Sequence, residues 1–457
     1  MNAREFARRR RALMRQVGRE GVVVLTAAQP KVRNRDVEYL FRQDSDFFYL
    51  TGFAEPAAVA VLIPKREAGE YVLFCRERDP AREQWDGPRA GLEGALEQFG
   101  ADDAFPIDDL DDILPGLIEG RTRVYHAMGA QPEFDARLVQ WMTTPRRDAG
   151  ELPQELVSLE HMLHDMRLYK SRSEVALMRR AAVVAAQAHR RAMQCCRPGM
   201  FEYEVEAELA HTFRRAGART SYPPIVASGV NACILHYIDN DKSCADGDLL
   251  LIDAGCEIES YASDITRTFP VNGRFSDPQR AIYELVLKAQ YAAIEAVQPG
   301  NHWNAPHEAA VRVITRGLVR LGLLKGSVAK LINDEAYRRF FMHRTGHWLG
   351  MDVHDVGDYK VGDAWRELEA GMVLTVEPGI YIAPGSKGVP RKWWGIGVRI
   401  EDDVLVTGSG HEVLSADVPK EVEEIEALMA SAPGDLPASA RHRRSRARRA
   451  TPVGAAS

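Results

Sequence analysis

The sequence predicts an α+β protein of two domains, and three observations carry that prediction. The chain has 457 residues, more than one hydrophobic core normally organises. Its first part alternates short apolar runs with helix-like stretches, while its second part pairs strands with long amphipathic helices. Between them lies the polar, breaker-containing stretch Thr143-Thr144-Pro145-Arg146-Arg147-Asp148-Ala149-Gly150, which reads as a surface connection.

Taken in order, the basic N-terminus reads as a solvated surface helix. Glu5 and Glu20 argue against a transit peptide, and no apolar segment of a secretory signal follows. Strands are expected at Val22–Leu25, Phe47–Phe53, Val59–Ile63 and Tyr71–Phe74, apolar β-rich runs separated by Gly, Pro and charge clusters. A short run at Val124–Tyr125 precedes a helix near Pro132–Trp141, and Leu156–Leu168 reads as a helix joining the two domains. Ser171-Arg172-Ser173-Glu174 matches a capping box. The Ala-rich helix behind it stops at Arg197-Pro198-Gly199. From there to about residue 418 strands pair with amphipathic helices. The residues from Ser431 are rich in Ala, Ser, Pro and Arg and cannot build a core, so they read as a disordered basic tail. The expected divisions are 1–168, 169–430 and 431–457.

Composition narrows the function. A hydrophobic share of 45% and a charged share of 27% fit a soluble globular chain. A net charge of -6 gives no reason to expect nucleic-acid binding. No run approaches the roughly 20 apolar residues of a membrane helix. The six cysteines form no CxxC pair and no disulfide framework, which fits a reducing cytoplasm.

Chemistry is signalled by acids at the ends of apolar strands, because an unpaired buried charge costs several kcal/mol. Asp253, Asp264, Glu377 and Glu401 stand out in this way. If a hairpin turn centres on Ile258-Glu259, Asp253 and Asp264 fall directly opposite on one face, where a divalent cation would relieve their repulsion. An internal echo supports a shared centre. Gly247 leads an apolar run into Asp253 and Gly255, as Gly371 leads one into Glu377 and Gly379. His343, His347 and His354 lie in a short stretch broken by Gly346 and Gly350. Neutral imidazole is a common metal ligand. Neither an HExxH helix nor a thiolate site is present. The oxygen-rich donor set favours manganese, with cobalt or magnesium next. Four carboxylates balance two divalent cations, with a bridging hydroxide as the further negative group.

These residues sit in stretches that resemble aminopeptidase P of the pita-bread metallopeptidases. The stretches are Ile234-Leu235-His236-Tyr237, Asp253-Ala254-Gly255-Cys256-Glu257, Ser263-Asp264-Ile265-Thr266-Arg267-Thr268-Phe269, His347 through His354, Val376-Glu377-Pro378-Gly379 and Gly397-Val398-Arg399-Ile400-Glu401-Asp402, with Arg42 through Phe53 near the N-terminus. The resemblance implies an N-terminal α/β domain of creatinase/RNase H-like type and a pita-bread catalytic domain. It implies hydrolysis of the bond between an N-terminal residue and a following proline by a hydroxide bridging two metals. Asp253 would bind one metal, Asp264 and Glu401 would bridge, and His347 with Glu377 would hold the other. Glu377 would relay the proton to the departing nitrogen, and His236 and His354 would steady the developing negative charge. His343, Tyr381 and Arg399 would line the substrate site. Trp85, in an expected charged loop, would reach a neighbouring subunit's cleft, making the protein a dimer or tetramer. Prolidase, acting on Xaa-Pro dipeptides, uses the same ligands. Methionine aminopeptidase fits the N-terminal domain less well, and the intact ligand set argues against a creatinase-like enzyme or an inactive peptide-binding relative.

Overall fold

The computed structural model describes residues 1–144 and 150–431. Most of the expected connection before Gly150 and nearly all of the expected basic tail lie outside the described residues. The chain forms two compact units. One is Met1–Glu174 with Gly350–Arg366; the other is Val175–Leu349 with the chain from Glu367 on.

The first unit is built on a six-stranded sheet in the order Asp103–Pro106, Tyr71–Cys75, Val59–Leu62, Gly21–Thr26, Arg123–His126, Glu155–Ser158. Gly21–Thr26 runs antiparallel to Val59–Leu62 and parallel to Arg123–His126, so the sheet is mixed. Its central strands are unbroken apolar runs because both faces are covered. On one face Val22, Val24, Val61, Val72 and Phe74 share a core with the helices Leu110–Ile118 and Pro132–Thr143.

Three expectations are corrected here. Phe47–Phe53 is not a strand: Ser45–Thr51 is a helix. Asp44 Oδ1 accepts the Phe47 N–H at 2.8 Å, and Gly52 closes the helix with φ 68°. Caps at both ends override the strand preference of the aromatic run. Leu156–Leu168 divides into the edge strand Glu155–Ser158 and the helix Glu160–Leu168, because Leu156 and Val157 pair in register with Val124 and Tyr125. Trp85 lies on the short helix Pro80–Asp86, whose start is capped by Asp79, rather than in a loop.

The helix Arg172–Cys195 ends just before Arg197-Pro198-Gly199, and the glutamate half of the expected capping box forms, with Ser171 N–H donating to Glu174 Oε2 at 2.8 Å. In the second unit Leu249–Asp253 lies between Ile225–Ser228 and Thr266–Pro270, all antiparallel. Val373–Val376 pairs with Asp402–Thr407, which pairs with Gly410–Val413. Gly379–Ile382 pairs with Ile396–Arg399 in the same register, so the two short ladders continue one another across Glu377 and Glu401.

The internal echo extends to the backbone. Gly247 and Gly371 both take positive φ, 88° and 98°, before strands that lead into Asp253 and Glu377. In each half the partner strand follows a second acid, Asp264 or Glu401. One register expectation fails. The turn consists of Glu259 and Ser260, with φ 50° and 66°, so Asp253 faces Thr266 rather than Asp264. Two residues with positive φ make the turn that matches strand twist. Asp264 stands two residues from the facing position, which by the period of a strand returns it to the same face.

Candidate metal centre

Strand ends bring the acids together. The Tyr222 hydroxyl lies 2.6 Å from both Asp253 Oδ1 and Asp264 Oδ1, tying the two carboxylates side by side. Arg399 Nη2 donates to Asp253 Oδ2 at 2.7 Å, and Arg399 Nε donates to Thr266 Oγ1 at 3.1 Å. Thr266 Oγ1 in turn donates to Glu401 Oε2 at 2.6 Å. Asp264, His347 and Glu401 each offer a ligand atom, and those atoms all lie within 4.8 Å of one another. Glu377 joins from the opposite strand end, its Oε1 3.8 Å from His347 Nε2.

His347 is aimed by its second nitrogen. Nδ1 lies 2.9 Å from the Trp348 carbonyl, which can only accept, so Nδ1 carries the hydrogen. That leaves the Nε2 lone pair facing Asp264 Oδ2 at 3.3 Å. A lone pair against a carboxylate is repulsive unless a proton or a cation sits between them. A carbonyl that holds one ring nitrogen is also the usual way a metal-binding histidine is oriented. Gly346 permits the approach: a Cβ there would come within 2.0 Å of the Thr375 carbonyl oxygen.

The electrostatics agree with the geometry. Burial raises the Asp253 carboxyl, and the charge of Asp264 adds to it against Arg399. Partial burial lifts Glu377 to about 7, His347 and Arg399 opposing. Burial together with the charges of Asp264, Glu377 and Asp253 pushes Glu401 well above the carboxylate range. Burial would lower His347, but its hydrogen bond to Asp264 and the nearby carboxylates carry it up to about 9. Asp264 is itself lowered, because His347 and Tyr222 outweigh its burial. The imidazole thus holds a proton where the carboxylates call for positive charge. A hard cation suits this donor set, and Asp253, Asp264, His347, Glu377 and Glu401 are the residues that would hold it.

Beside this cluster runs a polar chain. His343 Nδ1 donates to the Arg344 carbonyl at 2.6 Å, so His343 Nε2 accepts from the Tyr381 hydroxyl at 2.8 Å. The Tyr381 oxygen accepts in turn from Arg399 Nη1 at 3.1 Å. Burial and the Arg399 charge lower His343 to about 3, which keeps it neutral. His236 lies exposed on the loop after Ile225–Ser228. His354 is exposed in Gly350–Arg366, part of the first unit, and Trp85 is 86% exposed in that unit.

Three residues that meet these side chains carry no role in the sequence reading: Tyr222, Thr266 and Asp403. Asp403, 1% exposed, accepts the Asp264 N–H at 3.1 and 3.3 Å, and burial plus the Asp264 charge push it well above the carboxylate range. Its signal is the one that marks Asp253, an acid in an apolar strand. Tyr222, just ahead of Pro223-Pro224, gives no comparable signal.

Comparisons with known proteins place the chain among the metallopeptidases. Residues 176–408 match the model of metallopeptidase family M24, and residues 6–125 match the aminopeptidase P N-terminal domain. The chain is 48% identical over 426 residues to a Haemophilus influenzae Xaa-Pro aminopeptidase, covering 93% of this chain and 97% of that protein. Its fold matches Pseudomonas aeruginosa aminopeptidase PepP with a TM-score of 0.93 at 64% identity, covering 94% and 98% of the two chains. It also matches a zinc-substituted Escherichia coli aminopeptidase P in complex with product, with a TM-score of 0.91 at 47% identity over 94% and 98% of the chains.

Proposed function

The chain belongs to metallopeptidase family M24, as an Xaa-Pro aminopeptidase with an aminopeptidase P N-terminal domain and a pita-bread catalytic domain, and from that premise we propose how its residues divide the work. The observation that carries the proposal is the surplus of carboxylate around Nε2 of His347. Two divalent cations held by Asp253, Asp264, His347, Glu377 and Glu401, with manganese preferred by the oxygen-rich set, would supply Lewis acidity and a nucleophile from water near neutral pH.

Glu377 is the proton carrier. It keeps 18% side-chain exposure, so it can reach both the attacking water and the departing proline nitrogen. His236 and His354, both on the resemblance alone, steady the carbonyl oxygen of the scissile bond and the developing negative charge. Arg399 and the chain through Tyr381 to His343 form the wall against the pyrrolidine ring. An Xaa-Pro bond has no N–H to offer, so a wall that grips the ring and holds the carbonyl suits it where N–H recognition fails. Trp85, on a neighbouring copy, would close the cleft, which requires a dimer or tetramer. No described helix is long and apolar enough to cross a membrane, and all six cysteines are free thiols, so the cytoplasm is the proposed compartment.

A single assay separates the aminopeptidase from the prolidase reading. Manganese-loaded protein should hydrolyse Xaa-Pro-Yaa tripeptides at least as well as Xaa-Pro dipeptides. Turnover confined to dipeptides would transfer the assignment to prolidase.

A further inference from the structure

Away from the metal centre, the second unit buries a carboxylate whose hydrogen bonds, among the described residues, all come from neutral donors. Glu202, the first residue of the helix Glu202–Arg215, is fully buried. Its Oε1 accepts the Ser228 N–H at 2.7 Å and Asn231 Nδ2 at 3.0 Å. Its Oε2 accepts the Tyr237 hydroxyl at 2.7 Å and the Lys242 N–H at 3.0 Å. A carboxylate has about four lone-pair positions, and all are taken.

All four donors belong to one loop, from Ser228 to Lys242. The same helix holds this loop a second time, one turn further on: Glu206 Oε2 accepts from Asn240 Nδ2 at 2.9 Å, and Asn240, with φ 49°, accepts the Val226 N–H at 3.0 Å. The loop packs on the wall of the site. Gly397 lies so close to it that a Cβ would come within 2.2 Å of the Ala232 carbonyl oxygen. Tyr237 shares an apolar cluster with Tyr381 and Leu251. Between the clamped points stands His236. An apolar residue in place of Glu202 could fill the space but could not tie four points of the loop together.

We propose that Glu202 is a positioning residue for the reaction: its carboxylate clamps Ser228–Lys242 and so holds His236 at the substrate, an inference that rests on the reading of His236 above. Glu202→Gln keeps the shape and one acceptor oxygen, but turns an N–H₂ group toward donors that cannot all accept from it. The Tyr237 hydroxyl can rotate to accept; the Lys242 N–H cannot.

Two measurements on the full-length, manganese-loaded protein test this. Hydrogen exchange should speed up across residues 228–242 in Glu202→Gln while the helix Asp277–Glu295 exchanges as in wild type. kcat on an Xaa-Pro-Yaa peptide should fall roughly 10- to 100-fold, as a misplaced catalytic group would cause, with KM and metal content little changed. In a His236→Ala background the same substitution should cost no further activity. Tyr237→Phe, which removes one donor and keeps the ring, should act in the same direction by less, and it keeps the inference testable if Glu202→Gln fails to fold. Unchanged exchange over 228–242, or an equal further loss in the His236→Ala background, overturns the proposal. Wild-type turnover by His236→Ala would overturn the reading of His236 itself, and hydrogen exchange would still decide whether the clamp exists.

Discussion

The first unit gathers Asp46, Asp352 and the buried Asp355 around the buried Arg167 and Lys170, while the second gathers the half-buried Asp253 and Glu377 and the buried Asp264, Glu401 and Asp403 around Arg399 and His347. In the first, Arg167 donates to Asp46 at 2.8 Å, Asp352 at 2.7 Å and Asp355 at 2.6 Å, and Lys170 donates to Asp355 at 2.9 Å. Burial alone would raise Asp355, but the Lys170 and Arg167 charges hold it below the usual carboxylate range. Asp46 is lowered likewise, His164 and Arg167 outweighing its burial. In the second cluster Asp253, Glu377, Glu401 and Asp403 are all raised. Asp402 and Asp403 repeat the contrast within two adjacent residues. Asp402 takes Arg267 and Lys420 and is lowered, while Asp403, on the opposite face of the strand, accepts the Asp264 N–H and is raised. Buried charge that finds its counter-charges within the protein is architecture. Buried charge left in surplus is a place for something the chain does not itself provide.

The largest effect that tests this contrast is removal of the cation. Dialysis against a chelator should take activity to background and manganese should restore it best; full activity in rigorously metal-free protein would sink the mechanism. Next, Glu377→Gln should lower kcat by roughly 10²–10⁴ if proton relay is its main work. Metal content must be measured alongside, and normal turnover with normal metal would remove Glu377 from the reaction.

Stability should move in opposite directions in the two clusters. Asp355→Ala takes the carboxylate from the buried Lys170, leaving Arg167 with Asp46 and Asp352, and should destabilise the first unit by about 3–5 kcal/mol, read from its denaturant midpoint. Asp403→Asn, made in metal-free protein, should be neutral or stabilising, because it removes one of the surplus charges. The pH slopes should differ as well. Asp355 has a folded pKa below its unfolded one, so its contribution is complete above the unfolded value and fades as pH falls through the folded one. Glu377 has a raised folded pKa, so in metal-free protein its contribution is complete below the unfolded value and is lost as pH climbs toward about 7. Parallel slopes in thermal melts of Asp355→Asn, Glu377→Gln and wild type would erase the distinction.

The smallest expected effect lies at Trp85, whose ring is 86% exposed. Trp85→Ala should raise KM for longer peptides at unchanged metal content, and wild type should sediment as a dimer or tetramer. A fully active monomer would end that proposal.

Much of the site is legible in the order of residues. Asp253, Glu377 and Glu401 stand out because apolar strands do not end in carboxylates without reason, and the glycine-led echo places two of them in equivalent positions. Caps and pairing registers are less legible. The aromatic run at Phe47 reads as a strand until Asp44 and Gly52 are seen to cap it from both ends. The facing of Asp253 with Thr266 rather than Asp264 depends on which two residues take positive φ in the turn, a choice that shifts every partner by two and so keeps the face.

By itself, then, the sequence determined most of the elements, the candidate ligands and the class of chemistry, because these follow from local pattern and residue type. Only the tertiary structure decided how the charges are answered. It puts Tyr222 between Asp253 and Asp264, seats Asp403 behind Asp264, and gives Glu202 four donors from one loop. Those partners lie far apart in the chain, and no local pattern records which buried polar groups will meet. Counter-charge and hydrogen-bond partners are fixed by the packing of strands and helices, and it is their presence or shortage that separates a structural carboxylate from a functional one.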